Sequence, residues 1–316
     1  MRIVYIIIIT IAPLFSQEWA GRPGGFLRMG LTARSIAMGG GFTAELDQSF
    51  PTFHNPAWSA FLTQRYFGTS YSNLTLDRRL AATSIALSLP PTAGVGIAWI
   101  YGGVGNIQGR YTTGLKSTEM QTGENVLLIT FAQRIVPWLS VGANFKLFRH
   151  DLPITKSDQI SGTGIGFDIG MLFKTGKFTT FGLMIQDINS NYQWDTNEIY
   201  TQGGPYKDMF PIILRFGSRY KKNDLSIVGD IGFITDSMTR LLKNQHLFFG
   251  LLPRVGVEYA FLEQYFFRGG FGNGRFAFGF GYEYGLFNTR DSHIDYSFSL
   301  DWATQSSHTI SYAYNF

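Results

Sequence analysis

The sequence predicts an all-β fold, a transmembrane antiparallel β-barrel of about 14 strands, on three observations. The first is segment 308–316, where Ile310, Tyr312, Tyr314 and Phe316 fall on one side of a strand and Thr309, Ser311, Ala313 and Asn315 on the other. An aromatic side for lipid, a small polar side for a lumen and a last Phe suit the closing strand of an outer-membrane barrel. The second is recurrent period-two alternation. Ile165, Phe167, Ile169, Met171 and Phe173 oppose Gly164, Gly166, Asp168 and Gly170. Phe276, Phe278, Phe280, Tyr282 and Tyr284 oppose Ala277, Gly279, Gly281 and Glu283, and Ile294 to Trp302 repeat the pattern against Asp295, Ser297, Ser299 and Asp301.

A β-sandwich alternates in the same way, so the third observation, the lengths of the connections, decides. Strands are predicted at roughly 64–74, 79–89, 94–103, 123–134, 138–148, 162–174, 178–187, 211–221, 224–234, 249–260, 264–271, 275–285, 293–302 and 307–316. Even-to-odd links are mostly tight, as at Val136-Pro137, Thr175-Gly176-Lys177 and Lys222-Asn223, the link from the twelfth to the thirteenth strand being the longest of them. Several odd-to-even links are long: about 104–122, 149–161, 188–210 and 235–248. Tight periplasmic turns, long outer loops and an even strand number are the layout of an outer-membrane barrel.

The elements divide into three spans. Residues 1–16 read as a secretory signal, with Arg2 as the positive start, Ile3 to Phe15 as the apolar stretch, and cleavage after Ser16 or near Ala20. About 13 apolar residues at ~1.5 Å each reach roughly 20 Å, short of the ~30 Å hydrocarbon core, which argues against a membrane anchor. Residues 17–61 form an N-terminal periplasmic or hatch segment. Within it, Phe26 to Phe42 reads as a short helical turn entering a glycine bend, and Asn55-Pro56-Ala57-Trp58 as a turn. The glycines lack a following Gly-Lys-Ser/Thr, so no phosphate loop is predicted. A compact segment upstream of a wet barrel makes a natural plug. Residues 62–316 form the barrel.

Composition agrees. Aromatic residues make up 16% and charged residues 15% of the chain, with 37 glycines, and the charged share is below the ~25% usual for soluble domains. With no cysteine there is no disulfide framework or thiolate metal site, and no cofactor is predicted. The net charge of +4 is dispersed, which argues against a nucleic-acid partner. Lys146, Asp168, Arg215, Arg219, Asp230, Glu258, Arg268, Glu283, Asp295 and Asp301 take the less apolar phase of their strands. Both signs occur in neighbouring strands, which predicts ion pairs bracing a wet lumen, with Glu258, Arg268, Glu283 and Asp295 as a cluster.

The pattern Ala33-Arg34, Met38-Gly39-Gly40, Ala44, Asn55-Pro56-Ala57 resembles the opening of the PorV/PorQ family of FadL-like outer-membrane proteins. Pro211 to Gly217, Val255 to Tyr259 and Arg268 to Phe271 are similar to later family stretches. The resemblance implies a 14-stranded barrel with the hatch folded inside and the Asn55-Pro56-Ala57 turn near its base. Two positions depart from the family pattern. His54 stands where an aromatic is frequent, and Glu45 and Asp47 are split by Leu46 where paired acids are frequent.

Three function classes follow. The resemblance implies binding or passage of hydrophobic small molecules, with Tyr111, Tyr192, Trp194, Tyr200 and Tyr206 as candidate pocket residues against a bland reading as interfacial girdle and loop packing. The alternative is a carrier or anchor of type IX secretion that holds exported proteins through loops 104–122 and 188–210. An enzyme is the third class, but His54, His150, His246, His293 and His308 sit in no recognisable nucleophile or metal setting, and none is predicted. Outer-membrane lipid and the barrel-assembly machinery are the expected partners in every case.

Overall fold

The computed structural model describes residues 21–46, 50–154, 159–197, 201–235, 250–286, 291–301 and 305–316. The predicted signal segment lies outside the described residues, as do Asp47, Tyr200, His246 and Trp302. The strands are β1 (Tyr66–Asn73), β2 (Arg78–Leu89), β3 (Ala93–Arg110), β4 (Lys116–Val136), β5 (Leu139–Pro153), β6 (Gln159–Thr175), β7 (Thr179–Ile188), β8 (Asn191–Asp195), β9 (Pro205–Met209), β10 (Ile212–Lys222), β11 (Leu225–Thr235), β12 (Gly250–Phe261), β13 (Tyr265–Gly272), β14 (Arg275–Tyr284), β15 (Ser292–Asp301) and β16 (Gln305–Asn315).

Setting aside the β8–β9 hairpin, fourteen strands close into one antiparallel barrel. The closure is β1 against β16, from Tyr66 opposite Asn315 to Asn73 opposite His308, with β5 pairing β6 elsewhere in the ring. Closure removes the free sheet edges that would otherwise expose unpaired backbone.

The alternation sorts side chains as a membrane barrel requires. Ile97, Trp99, Phe131, Phe267, Phe278 and Ile310 stand exposed on the outside, while Ser70, Ser84, Thr130, Asn144, Ser297 and Ser311 are buried inside. In β16, Thr309, Ser311, Ala313 and Asn315 face inward, and Ile310, Tyr312, Tyr314 and Phe316 take the outward phase. Apolar outside and polar inside is stable only with lipid around the wall, so this is an outer-membrane type of barrel.

Most turns of the tight rim are short, as predicted, and left-handed residues make two of them. Asn223 (φ 51°) and Gly176 (φ 82°) supply left-handed conformations that turn the chain back at once. The other rim differs from expectation. Residues 104–110 and 116–122 continue β3 and β4 rather than forming a loop, and 149–153 and 159–161 extend β5 and β6. β4 runs for 21 residues while β1 has 8, so β3 to β6 rise as a tall flap on one side. Bulges between Val104 and Ile107 and between Gln108 and Arg110 mark its upper part.

Residues 188–210 also carry structure of their own. Asp187 and Asn189 adopt positive φ of 62° and 53°, and the chain leaves the wall after Ile188. β8 then packs on the inside of β6, where Gly162, Gly164 and Gly166 leave room for Trp194, Asn191 and Ser190. Only Thr163 opposite Gln193 pairs the two strands.

Candidate functional site

The described residues of 25–61 pack against the inward side of the wall strands. Thr32 caps the short helix Ala33–Ala37, its Oγ1 accepting from the Ser35 N–H at 3.1 Å while its own N–H donates to Ser35 Oγ at 3.3 Å. The helix stops because Gly39 and Gly40 take φ of 67° and 77°. There Met38 and Gly39 press against the inward glycines Gly256 and Gly270, at which any Cβ would overlap the Met38–Gly39 backbone. The Ala33 N–H donates to Ser311 Oγ at 2.7 Å, tying the helix to β16.

Asn55 is the second anchor. Its Oδ1 caps the 3-10 helix Pro56–Phe61 by accepting from Ala57 N–H at 3.1 Å. Its Nδ2 donates to Thr43 O at 2.8 Å and Met171 O at 3.2 Å, so one amide joins the inner turn, the preceding loop and β6. Buried polar groups without partners cost about 1–3 kcal/mol each. Asn55→Ala is therefore expected to loosen the segment and raise single-channel conductance in planar bilayers. Unchanged conductance would show that this turn does not hold the segment.

Arg34 forms the third anchor through a forked pair with Glu258, Nε to Oε2 and Nη2 to Oε1 both at 2.8 Å. Arg268 extends the chain, Nε to Glu258 at 2.6 Å and Nη1 to Asp295 at 2.6 Å, and Arg219 meets Glu45 at 2.9 Å. Of the predicted lumen cluster, Glu258, Arg268 and Asp295 are joined by ion pairs, and Glu283 lines the same vestibule, 3.4 Å from His293. The sequence placed Arg34 in the inner segment but gave no sign that it would join this cluster.

A second charged group sits where β7 leaves the wall. Lys146 Nζ is 2.6 Å from Asp168 and 2.7 Å from Asp187, Arg28 pairs with Asp187, and Asn144 Nδ2 donates to Asp168 at 2.9 Å. All five side chains are buried. Gln186 accepts from both Arg28 and Arg215.

Above these charges the interior becomes apolar. Phe26, Leu27, Phe50 and Phe53 of the inner segment meet Leu80, Ile100, Val126, Leu128 and Phe148 of the wall and Tyr192, Trp194 and Phe210 of the β8–β9 region. Tyr192 and Trp194, read from sequence as loop aromatics, are thus buried inside, whereas Tyr111 and Tyr206 are exposed. The Tyr192 hydroxyl donates to Glu124 Oε2 at 2.8 Å, which ties the hairpin to β4. At the short-turn end, a vestibule of about 310 Å³ opens between Trp58, Phe61, Lys221, Phe266 and His293.

His54 fills its unusual place as an aromatic ring, edge-on to Phe42 and Phe53 at centroid distances of 5.1 and 5.3 Å. Burial, then Arg254, Arg215 and Arg34, push its pKa down to about 3, so the ring is neutral at pH 7. A released His54 titrates near 6.5, so the open state binds the extra proton and packing weakens as pH falls from about 6.5 toward 3. Proteolysis of the segment is expected to accelerate at pH 4.5 relative to pH 7.5, and less so in His54→Phe. Equal acceleration in both proteins would remove His54 as the cause.

The described histidines do not converge: His150 lies beside Tyr192 and Trp194, His293 beside Glu283, and His308 accepts or donates to Tyr296 at 2.7 Å. Among the described residues, no group of His, Asp and Glu is placed to hold a metal ion.

No family model matches the sequence, and no curated protein matches it. Solved structures do match in fold. The CymD monoaromatic hydrocarbon channel aligns with a TM-score of 0.66 at 14% identity, covering 91% of this chain and 98% of that one. The toluene transporter TbuX of Ralstonia pickettii aligns at 0.64 and 15%, covering 91% and 98%. A FadL homologue of Pseudomonas aeruginosa aligns at 0.63 and 11%, covering 90% and 98%. Identities this low establish a FadL-like barrel fold and nothing finer.

Proposed function

We propose that the barrel passes hydrophobic small molecules across the outer membrane, with residues 17–61 as a hatch whose part from residue 25 onward fills the lumen. The observation that carries this reading is the division of the interior. A water-filled pore is polar throughout, whereas here the outward half is an apolar core built from Phe26, Phe53, Phe148, Tyr192, Trp194 and Phe210. An apolar solute entering there exchanges water for side chains of matching polarity. The similarity in fold to a monoaromatic hydrocarbon channel and a toluene transporter supports it. Uptake of labelled toluene and of oleate by a deletion strain is the test. The reading expects at least one to fall severalfold and to recover on complementation; normal uptake of both would end it.

The finer assignment to the PorV/PorQ family rests on the Ala33-Arg34, Met38-Gly39-Gly40 and Asn55-Pro56-Ala57 patterns and gives a second reading, an anchor for exported proteins. The tall β3–β4 flap favours it, because Tyr111 and Leu115 stand exposed at its tip. Photo-crosslinking from position 111 in intact cells distinguishes the two: an exported protein supports the anchor, and recovery of lipid and assembly machinery alone opposes it.

A further inference from the structure

Four arginines converge on a small cavity between the inner segment and the wall: Arg28 from the segment, Arg215 from β10, Arg254 from β12 and Arg275 from β14. No carboxylate is among the described residues that line it. Most of the hydrogen bonds these groups make go to neutral acceptors. Arg254 donates to Gly40 O at 3.0 Å and to Asn273 Oδ1 at 3.0 and 3.2 Å, Arg275 to Met29 O at 2.6 Å, and Arg215 Nε to Gln186 at 2.5 Å. These contacts satisfy N–H groups without cancelling charge. The nearest acids offset that charge only in part. Asp230 accepts from Thr43 N–H at 3.0 Å and Thr43 Oγ1 at 2.7 Å, and Asp187 is held by Lys146 and Arg28.

Two buried nitrogens are left over. Arg215 is 5% exposed and its Nη1 has no hydrogen-bond partner; His54 Nε2, also lining the cavity, has none either. Like charges gathered away from water repel strongly, and a buried N–H without a partner adds its own penalty. A bound anion relieves both.

We propose that this cavity is a binding site for a compact oxyanion of the phosphate class. Its volume of about 40 Å³ admits a few water-sized groups and excludes an acyl chain or an aromatic ring. Planar guanidinium forks arriving from several directions suit a tetrahedral oxyanion, which offers an acceptor to each. Because Arg28 and His54 belong to the inner segment and the other three arginines to the wall, the anion clamps one to the other. The site does not depend on what the barrel passes.

Equilibrium dialysis of detergent-purified full-length protein against labelled inorganic phosphate, at constant ionic strength, tests this. The expected result is saturable binding of one phosphate per chain, displaced by sulfate and not by equal chloride. Arg215→Met and Arg215→Lys should weaken it at least tenfold, and Arg149→Met, an exposed arginine of β5, should leave it unchanged. Absence of saturable binding to the unaltered protein overturns the proposal whatever the variants do. So does phosphate affinity that is the same in Arg215→Lys, which keeps the charge and the fold.

Discussion

Asp187→Ala is expected to lower the stability of the folded barrel by about 3–5 kcal/mol, the range for removing one partner of a buried ion pair. The effect is large because Asp187 serves two cations. Lys146 lies 2.7 Å away and Arg28 pairs with it from the inner segment, and both are buried. Without Asp187, Lys146 keeps Asp168, and Arg28 loses its buried carboxylate partner while its bond to Gln186 remains. Alanine also disfavours the positive φ of 62° at this position, where Asn would tolerate it. Asp187→Asn therefore separates charge from backbone: it should lose the electrostatic part and retain the bend. Urea unfolding in detergent micelles, followed by the gel shift between folded and unfolded barrel, reads both. A loss below 1 kcal/mol for Asp187→Ala would mean that the charges are already compensated in another way.

Gly256→Val combined with Gly270→Val should expel the inner segment while leaving the barrel closed. Each inward Cβ would overlap the Met38–Gly39 backbone, which cannot rotate aside as a side chain can. Overpacking of this kind costs about 1–3 kcal/mol per site, and displacing a segment held mainly by a few anchors is the easier response. The expected readouts are rapid cleavage within 25–61 by added protease and a severalfold rise in conductance. Gly269→Val is the control, since Gly269 points outward and meets only Phe278 at 3.9 Å. If the double variant conducts like the control, the lumen is not filled by this segment in the membrane.

The wall was legible in the sequence because lipid on one side and a polar interior on the other force strict alternation. All fourteen predicted wall strands correspond to observed ones, within a residue or two where both faces are so constrained. The readings failed where that constraint ends. In Gly105-Asn106-Ile107-Gln108-Gly109-Arg110 and Lys116 to Thr122 the alternation disappears, and the sequence predicts loop where the structure has strand. The β8–β9 hairpin was missed for a related reason: Tyr192 and Trp194 alternate, but over too few residues to mark a strand. Inward charges could be assigned to the lumen by phase, yet their partners could not. Nothing local links Arg34 to Glu258, 224 positions away, or Arg28 to Asp187. The glycines Gly256 and Gly270 were visible as inward small residues; that they receive Met38 is a matter of three-dimensional placement.

The bond from Ala33 to Ser311, together with the pairing of β1 and β16, bears on the order of biogenesis. The inner stretch is synthesised before any wall strand, yet its partners include the final one. Its Asn55 also reaches β6, and its Arg34 reaches β12. A ring zipped shut first would leave this stretch outside a mouth narrowed by the β8–β9 region. The nascent chain is therefore expected to gather its successive hairpins around the early stretch, using it as a mandrel, before the seam joins.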